Sequence, residues 1–155
     1  MIQLSVIGTP KALARPRVSS RGGFPRMYDS QTKEKGQTLW QLKPQYSEAP
    51  LAGPLAIDLV FAMPIPKSAS KIRRRLMIEG ELYHIFRPDL DNLSKFILDC
   101  MNGFIYIDDS QIQELHARKI YSTIPSTLIR VVPVEEAKIK PGKREATNES
   151  DCGDC

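Results

Sequence analysis

The densest run of side chains able to do chemistry is Asp89-Leu90-Asp91-Asn92-Leu93-Ser94-Lys95, and a second acidic pair, Asp108-Asp109, follows it. Converged carboxylates repel one another and raise each other's pKa until a cation binds among them. Magnesium suits such a site, because it takes hard oxygen ligands: one or two carboxylates, completed by waters and substrate phosphate oxygens. The chain has two histidines, His84 and His116, and no His/Cys cluster, so the pattern does not indicate zinc. Lys95 lies one helical turn beyond Asp91, where an ammonium can steady an attacking water or the charge developing on phosphorus. A plain structural reading covers the same residues. Asp91 can cap its helix with Asn92 in the first turn, Asp108 and Asp109 can be turn residues, and Lys95 can form an exposed i, i+4 ion pair.

These residues must be positioned by the elements around them. Leu90, Leu93, Phe96, Ile97, Cys100 and Met101 recur at helical spacing between Pro88 and Gly103, which predicts a helix opening at Asp89. Phe104 to Ile107 reads as a short apolar strand. Running back along the helix, it would bring Asp108 and Asp109 toward Asp89 and Asp91. Ile2, Leu4 and Val6 alternate with polar residues as a half-buried strand, and Leu55, Ile57, Leu59, Phe61 and Met63 form a second, ended by Pro64 and Pro66. Thr32 to Lys43 reads as a helix capped by Ser30 or Thr32, with Leu39, Trp40 and Leu42 turned inward. A short basic helix, Ala69 to Glu79, is expected after a Ser68 cap, packing through Ile72, Leu76 and Ile78. Gln113 to Ser122 and Thr127 to Val134 read as a hairpin turning at 122–126. From Glu135 the sequence becomes polar without periodicity, so 1–134 is expected to be the folded domain and 135–155 a disordered tail.

Charge is distributed unevenly along the chain. Met1 to Tyr28 carries five basic residues (Lys11, Arg15, Arg17, Arg21, Arg26) and no acidic one. Lys67, Lys71, Arg73, Arg74 and Arg75 form a second unopposed set, whereas Asp89 to Asp109 holds five carboxylates against Lys95. Basic flanks around an acidic centre suit a polyanion held by its phosphates and cut at a carboxylate-bound metal. Solvated surface charge of both signs is the plainer alternative.

The 155 residues, 41% apolar and 26% charged, have room for one ordinary domain and not two. Three cysteines are too few for a disulfide framework, which points to a reducing, cytoplasmic compartment. Cys100 falls on the apolar helix face and reads as core. Cys152-Gly153-Asp154-Cys155 is an isolated C-x-x-C without the four ligands a structural zinc needs. Neither histidine is read as functional, and Trp40 and Tyr46 are expected in the core or at a dimer contact, or stacked on an unpaired base. No run of apolar residues is long enough to span a membrane.

The stretch Arg87-Pro88-Asp89-Leu90-Asp91-Asn92-Leu93-Ser94-Lys95, then Leu98-Asp99, then Gly103 to Asp108-Asp109-Ser110-Gln111-Ile112, closely resembles the RusA-type Holliday junction resolvases of bacteria and their phages. The resemblance extends upstream through Gly53-Pro54-Leu55, Phe61 to Ser68 and Arg15-Pro16-Arg17, and so covers most of 1–134. It implies an α+β domain with a mixed sheet of about four or five strands and packed helices. It also implies a homodimeric, Mg2+-dependent endonuclease that nicks a four-way junction symmetrically. By position, Asp89, Asp91 and Asp109 correspond to the metal-binding catalytic carboxylates and Lys95 to the catalytic lysine. Asp108 is the adjacent acid, and Asp99 and Asn92 are partners that support the ligands without being ligands themselves. Arg15, Arg17, Lys67, Lys71, Arg73, Arg74 and Arg75 would hold backbone phosphates. The alternatives are a Mg2+ nuclease of flaps or other branched DNA, and a non-catalytic DNA-binding protein.

Overall fold

The computed structural model describes residues 1–14, the backbone of 17–19 and 26–28, and residues 31–134. Arg15, the side chain of Arg17, the 135–155 segment and its Cys152 and Cys155 lie outside the described residues. In chain order the elements are β1 (Ile2–Ile7), β2 (Arg17–Ser19), β3 (Arg26–Tyr28), α1 (Thr32–Leu42), β4 (Leu55–Pro64), α2 (Lys71–Ile78), α3 (Leu90–Met101), β5 (Ile112–Ser122) and β6 (Ser126–Pro133). The class is α+β as expected, with a four-stranded sheet in the order β1-β6-β4-β5 and three helices among the described residues. Strands β2 and β3 pair antiparallel as a separate small hairpin within the basic N-terminal stretch.

The sheet is mixed because β4 sits between two strands of opposite sense. It pairs parallel with β5 and antiparallel with β6. The expected hairpin of β5 with β6 is therefore not formed, although the turn at 122–126 is. Ser122 stands beside Pro64 and Ser126 beside Ala62, so the short link crosses the end of β4, where Pro64 has no N–H with which to extend the ladder. The most apolar strand takes the centre: Leu55, Ile57, Leu59, Phe61 and Met63 are all buried.

One face of the sheet is covered by α1 and α3. Leu93, Ile97 and Met101 of α3 and Leu42 of α1 join Leu4, Ile129, Val131 and the β4 residues in one core. Full burial of each such side chain contributes about 1.5–3 kcal/mol, which is why a 12-residue helix is held firmly enough to carry a site at its end. Helix α1 and the 3-10 turn Lys43–Gln45 that follows it also close the sheet edge at β1. The Gln45 amide accepts from Ser5 N at 2.9 Å and donates to Ser5 O at 2.7 Å, and Gln41 does the same for Ile7 at 2.8 and 3.2 Å. These two amides occupy backbone groups that would otherwise template a further strand.

Several local expectations are corrected. The N-cap of helix α1 is Gln31 and not Thr32, Ser30 lies outside the described residues, and the Gln31 side chain ties Ala12 and Ala14 to the helix. Trp40 is exposed and not inward, since the buried stripe of α1 runs through Thr38 and Leu42. Helix α2 begins two residues later than expected, with Ser70 Oγ accepting from Arg73 N, and its buried residue is Met77, while Ile72 and Ile78 face solvent. Residues 103–105 form a turn, and only Tyr106 bridges in strand fashion, to Leu51, so the expected strand is not formed. Phe104 N and Ile105 N both donate to Met101 O, and Gly103, at φ +71°, donates to Tyr106 O.

Candidate nuclease site

Helix α3 begins at Asp89, whose backbone is extended and whose carbonyl accepts from Leu93 N at 3.1 Å. The Asp89 carboxylate makes no capping bond to the helix, so the structural role that most often occupies an aspartate at this position is not taken. Asp91 sits in the first turn and meets Lys95 Nζ at 3.4 Å, both side chains being more than half exposed. An exposed i, i+4 pair of this kind contributes only about 0.3–0.5 kcal/mol. Its geometry therefore leaves carboxylate and ammonium available to other partners. The helix dipole favours both carboxylates at this end.

Two contacts fix the chain on either side of this helix start. Leu13 N donates to Asn92 O at 2.8 Å, bringing the beginning of the basic N-terminal stretch against the first turn of α3. This contact uses the Asn92 main chain. On the other side, Lys119 Nζ of β5 donates to Phe86 O at 2.8 Å and Pro88 O at 3.0 Å, clamping the segment that delivers Asp89. Lys119 escapes a sequence reading, because its acceptors are carbonyls and carbonyls leave no mark on residue identity. Beside it, His84 packs on Tyr121 with ring centroids 4.9 Å apart. Burial, and then the Lys119 charge, lower the His84 pKa below the ordinary histidine value.

The second acidic pair is held differently. The turn 103–105 closes on Met101 and Tyr106 bridges to Leu51, and because β5 leads from Ile112 to Lys119 beside Pro88, Asp108 and Asp109 lie toward the C-terminal side of the helix. Tyr106, fully buried, marks the place: its hydroxyl donates to Leu98 O at 2.8 Å. Burial first, then the charges of Asp109, Asp99, Cys100 and Asp108, push its phenol far above the ordinary tyrosine value. Asp108 caps the single turn Asp109–Gln111, its carboxylate accepting from Ser110 N at 2.9 Å, and the Ser110 hydroxyl and amide lower its pKa. Gln111 returns a bond to Asp108 N and donates to Leu51 O and Gly53 O, locking that turn to the strand entry. Asp99 pairs with Lys35 of α1 at 3.2 Å. Asp109 is exposed.

Among the described residues, no three His, Cys, Asp or Glu side chains gather closely enough to hold a metal ion. The expected return of Asp108 and Asp109 to the helix mouth is thus not made within one chain. The pair Asp89 and Asp91 remains, and its chemistry fits magnesium, which binds through one or two carboxylates plus water and phosphate oxygens.

Lys67, Lys71, Arg73, Arg74 and Arg75 are all exposed, and Arg75 is engaged by Glu79 at 2.8 Å. A concavity on the opposite, uncovered sheet face is lined by residues such as Asp58, His116, Arg118 and Arg130, and it includes none of the α3 or Asp108–Asp109 acids. Exposed carboxylates preceded in the chain by an exposed cationic helix suit a polyanionic substrate. A model of the endodeoxyribonuclease RusA family matches residues 8–132.

The chain belongs to the RusA endodeoxyribonuclease family. A protein of Bacillus subtilis (strain 168), YqaN, described as uncharacterized, is 34% identical over 134 residues, spanning 84% of this chain and 94% of that protein. As a RusA-family member the chain is a nuclease by class, and the matched region takes in α3, the Asp108–Asp109 turn and the basic α2. No helix among the described residues is long and apolar enough to cross a membrane.

Proposed function

We propose that this RusA-family chain is a Mg2+-dependent, cytoplasmic endonuclease that resolves four-way DNA junctions as a homodimer, by symmetric paired nicks. The observation that carries the reading is the state of Asp89 and Asp91: two exposed carboxylates at the start of a rigid helix, neither consumed by capping, with the Lys95 ammonium beside them. A two-fold symmetric protein matches the symmetry of a junction and can address two strands of like polarity.

Asp89 and Asp91 would hold the metal, whose chemistry there is to lower the pKa of a water and neutralise charge on the phosphate. Lys95 stabilises negative charge developing on phosphorus, a task for which a preset ammonium needs no reorganisation. Asp109 is the third member of the proposed catalytic set, acting where DNA or a second copy of the chain brings it to the pair. Asp108 and Asp99 support this arrangement, through the turn that carries Asp109 and through the ion pair with α1. Lys67, Lys71, Arg73, Arg74 and Arg75, with Arg15 and Arg17, hold backbone phosphates and contribute affinity with little sequence information. Residues 1–134 are proposed as the catalytic domain and 135–155 as a tail outside it.

The test is Asp91→Asn, which keeps side-chain size and removes the charge. Junction affinity measured without divalent cation is expected to be retained while Mg2+-dependent cleavage is lost; cleavage at a rate comparable to the parent protein removes the assignment.

A further inference from the structure

Between α2 and α3 the chain presents three large apolar side chains to solvent. Tyr83 is 80%, Ile85 81% and Phe86 61% exposed. Single exposed apolar residues are ordinary, but a contiguous group marks a contact surface. The ridge they form is anchored. His84, between Tyr83 and Ile85, turns inward onto Tyr121 and meets the Phe86 ring edge-on at 6.3 Å. Lys119 holds the carbonyls of Phe86 and Pro88. The backbone thus fixes these side chains outward three to six residues before Asp89.

The surroundings select the partner. Lys71, Arg73 and Arg74 on α2 precede the ridge and Arg87 follows it, all exposed. Nucleobases are flat apolar faces rimmed by phosphates, and an apolar ridge in a cationic frame is their complement. A second copy packed here would set these cations against their own images, and like charges so juxtaposed oppose association. In a paired duplex the base faces are stacked and out of reach. At a branch point the continuous stack is interrupted, and opening it there exposes base faces.

We propose that Ile85 and Phe86, flanked by Tyr83, form a fixed wedge that stacks on bases exposed at a DNA branch point, so that this ridge selects branched over linear DNA. The inference rests on the nuclease reading for its substrate, yet it is tested through binding. Insertion of apolar side chains beside a base step unstacks it, and each stacked base contributes enough affinity to matter severalfold or more.

The experiment places 2-aminopurine at the branch point of a synthetic four-way junction and adds protein in the uncleaving Asp91→Asn background. Its fluorescence is expected to rise on binding, as the base leaves the stack. The variant Ile85→Ser/Phe86→Ser is expected to lose the rise and to reduce the affinity ratio of junction over linear duplex by about tenfold. Duplex affinity, set by phosphates, stays, and Phe86→Trp keeps both rise and ratio, which guards against misfolding. An unchanged rise and ratio in the double serine variant overturn the proposal. So does a loss accompanied by a fall in oligomeric state in light scattering, which assigns the ridge to a second copy. Unstacking of the reporter, lost in the serine variant, by a parent protein that never cuts DNA supports the wedge while removing the nuclease reading.

Discussion

Lys119 on β5 donates to the carbonyl of Pro88 at 3.0 Å, one residue before Asp89. The edge strand β5 thereby couples the central strand β4 to the start of α3, since β5 is registered against β4 over its length, Lys119 opposite Phe61. Preset geometry of this kind is what a metal-binding carboxylate needs, since a displacement of about 1 Å at a reacting centre costs on the order of a hundredfold in rate.

Lys119→Met keeps the length of the side chain and deletes its three donors. Cleavage is expected to fall by roughly tenfold to a hundredfold, with junction affinity changed little. The same variant removes a positive charge that lowers the His84 pKa, so the imidazole titrates at higher pH in an NMR titration. A His84 pKa that stays in place contradicts the contact.

His84 also makes stability depend on pH in a defined direction. Its pKa is lowered in the folded protein, so below about 6.5, the ordinary histidine value, the unfolded chain binds the proton first. The contribution is fully present above that pH and is lost as pH falls through it toward the folded value. In urea titrations His84→Gln is expected to flatten this part of the profile, whereas a profile superimposable on the parent's counts against the buried, low-pKa ring.

Much of this was legible in the residues alone. The period of Leu93, Phe96, Ile97, Cys100 and Met101, bounded by Pro88 and Gly103, placed α3 and hence Asp89 at its N-cap and Asp91 on its first turn. Alternation likewise placed β1 and β4. The position of β6 between β1 and β4 was not legible, because strand pairing is settled by which strand buries both neighbours and not by local pattern. Residues 104–107 misled for a related reason: four apolar residues look alike whether they form a strand or, as here, a turn that buries Ile105 and Tyr106 and leaves Ile107 exposed. With that turn went the expected meeting of Asp109 with Asp91. In α2, eight residues rest mainly on Met77, too few for a periodic stripe to show itself.

Arg73→Ala and Arg74→Ala act on phosphate contacts. Each is expected to weaken junction and duplex binding about equally and to reduce the slope of log affinity against log salt by about 1. Salt-dependent anisotropy measurements check this, and an unchanged slope moves the DNA path off α2.

Tyr106→Phe removes the hydroxyl that donates to Leu98 O in a fully buried setting. Leu98 O keeps its bond from Asn102 N, so the loss is that of one hydrogen bond, about 0.5–1.5 kcal/mol, read as a lower denaturation midpoint. The turn that carries Asp108 and Asp109 hangs from this residue, so cleavage is expected to fall further than stability alone explains. A variant with parental stability and cleavage shows the hydroxyl to be dispensable.

The central claim is that the carboxylates at the head of α3 cut branched DNA with a divalent metal. It is tested most directly by incubating purified protein with a four-way junction, a flap, a linear duplex and single-stranded DNA, each with Mg2+ or EDTA, beside Asp91→Asn. The account predicts paired symmetric nicks confined to the junction, dependent on Mg2+ and reduced by at least about a hundredfold in the variant. Equal cutting of the flap would replace junction resolution with a broader branched-DNA nuclease, and tight junction binding with no Mg2+-dependent cleavage in the parent protein would contradict the account.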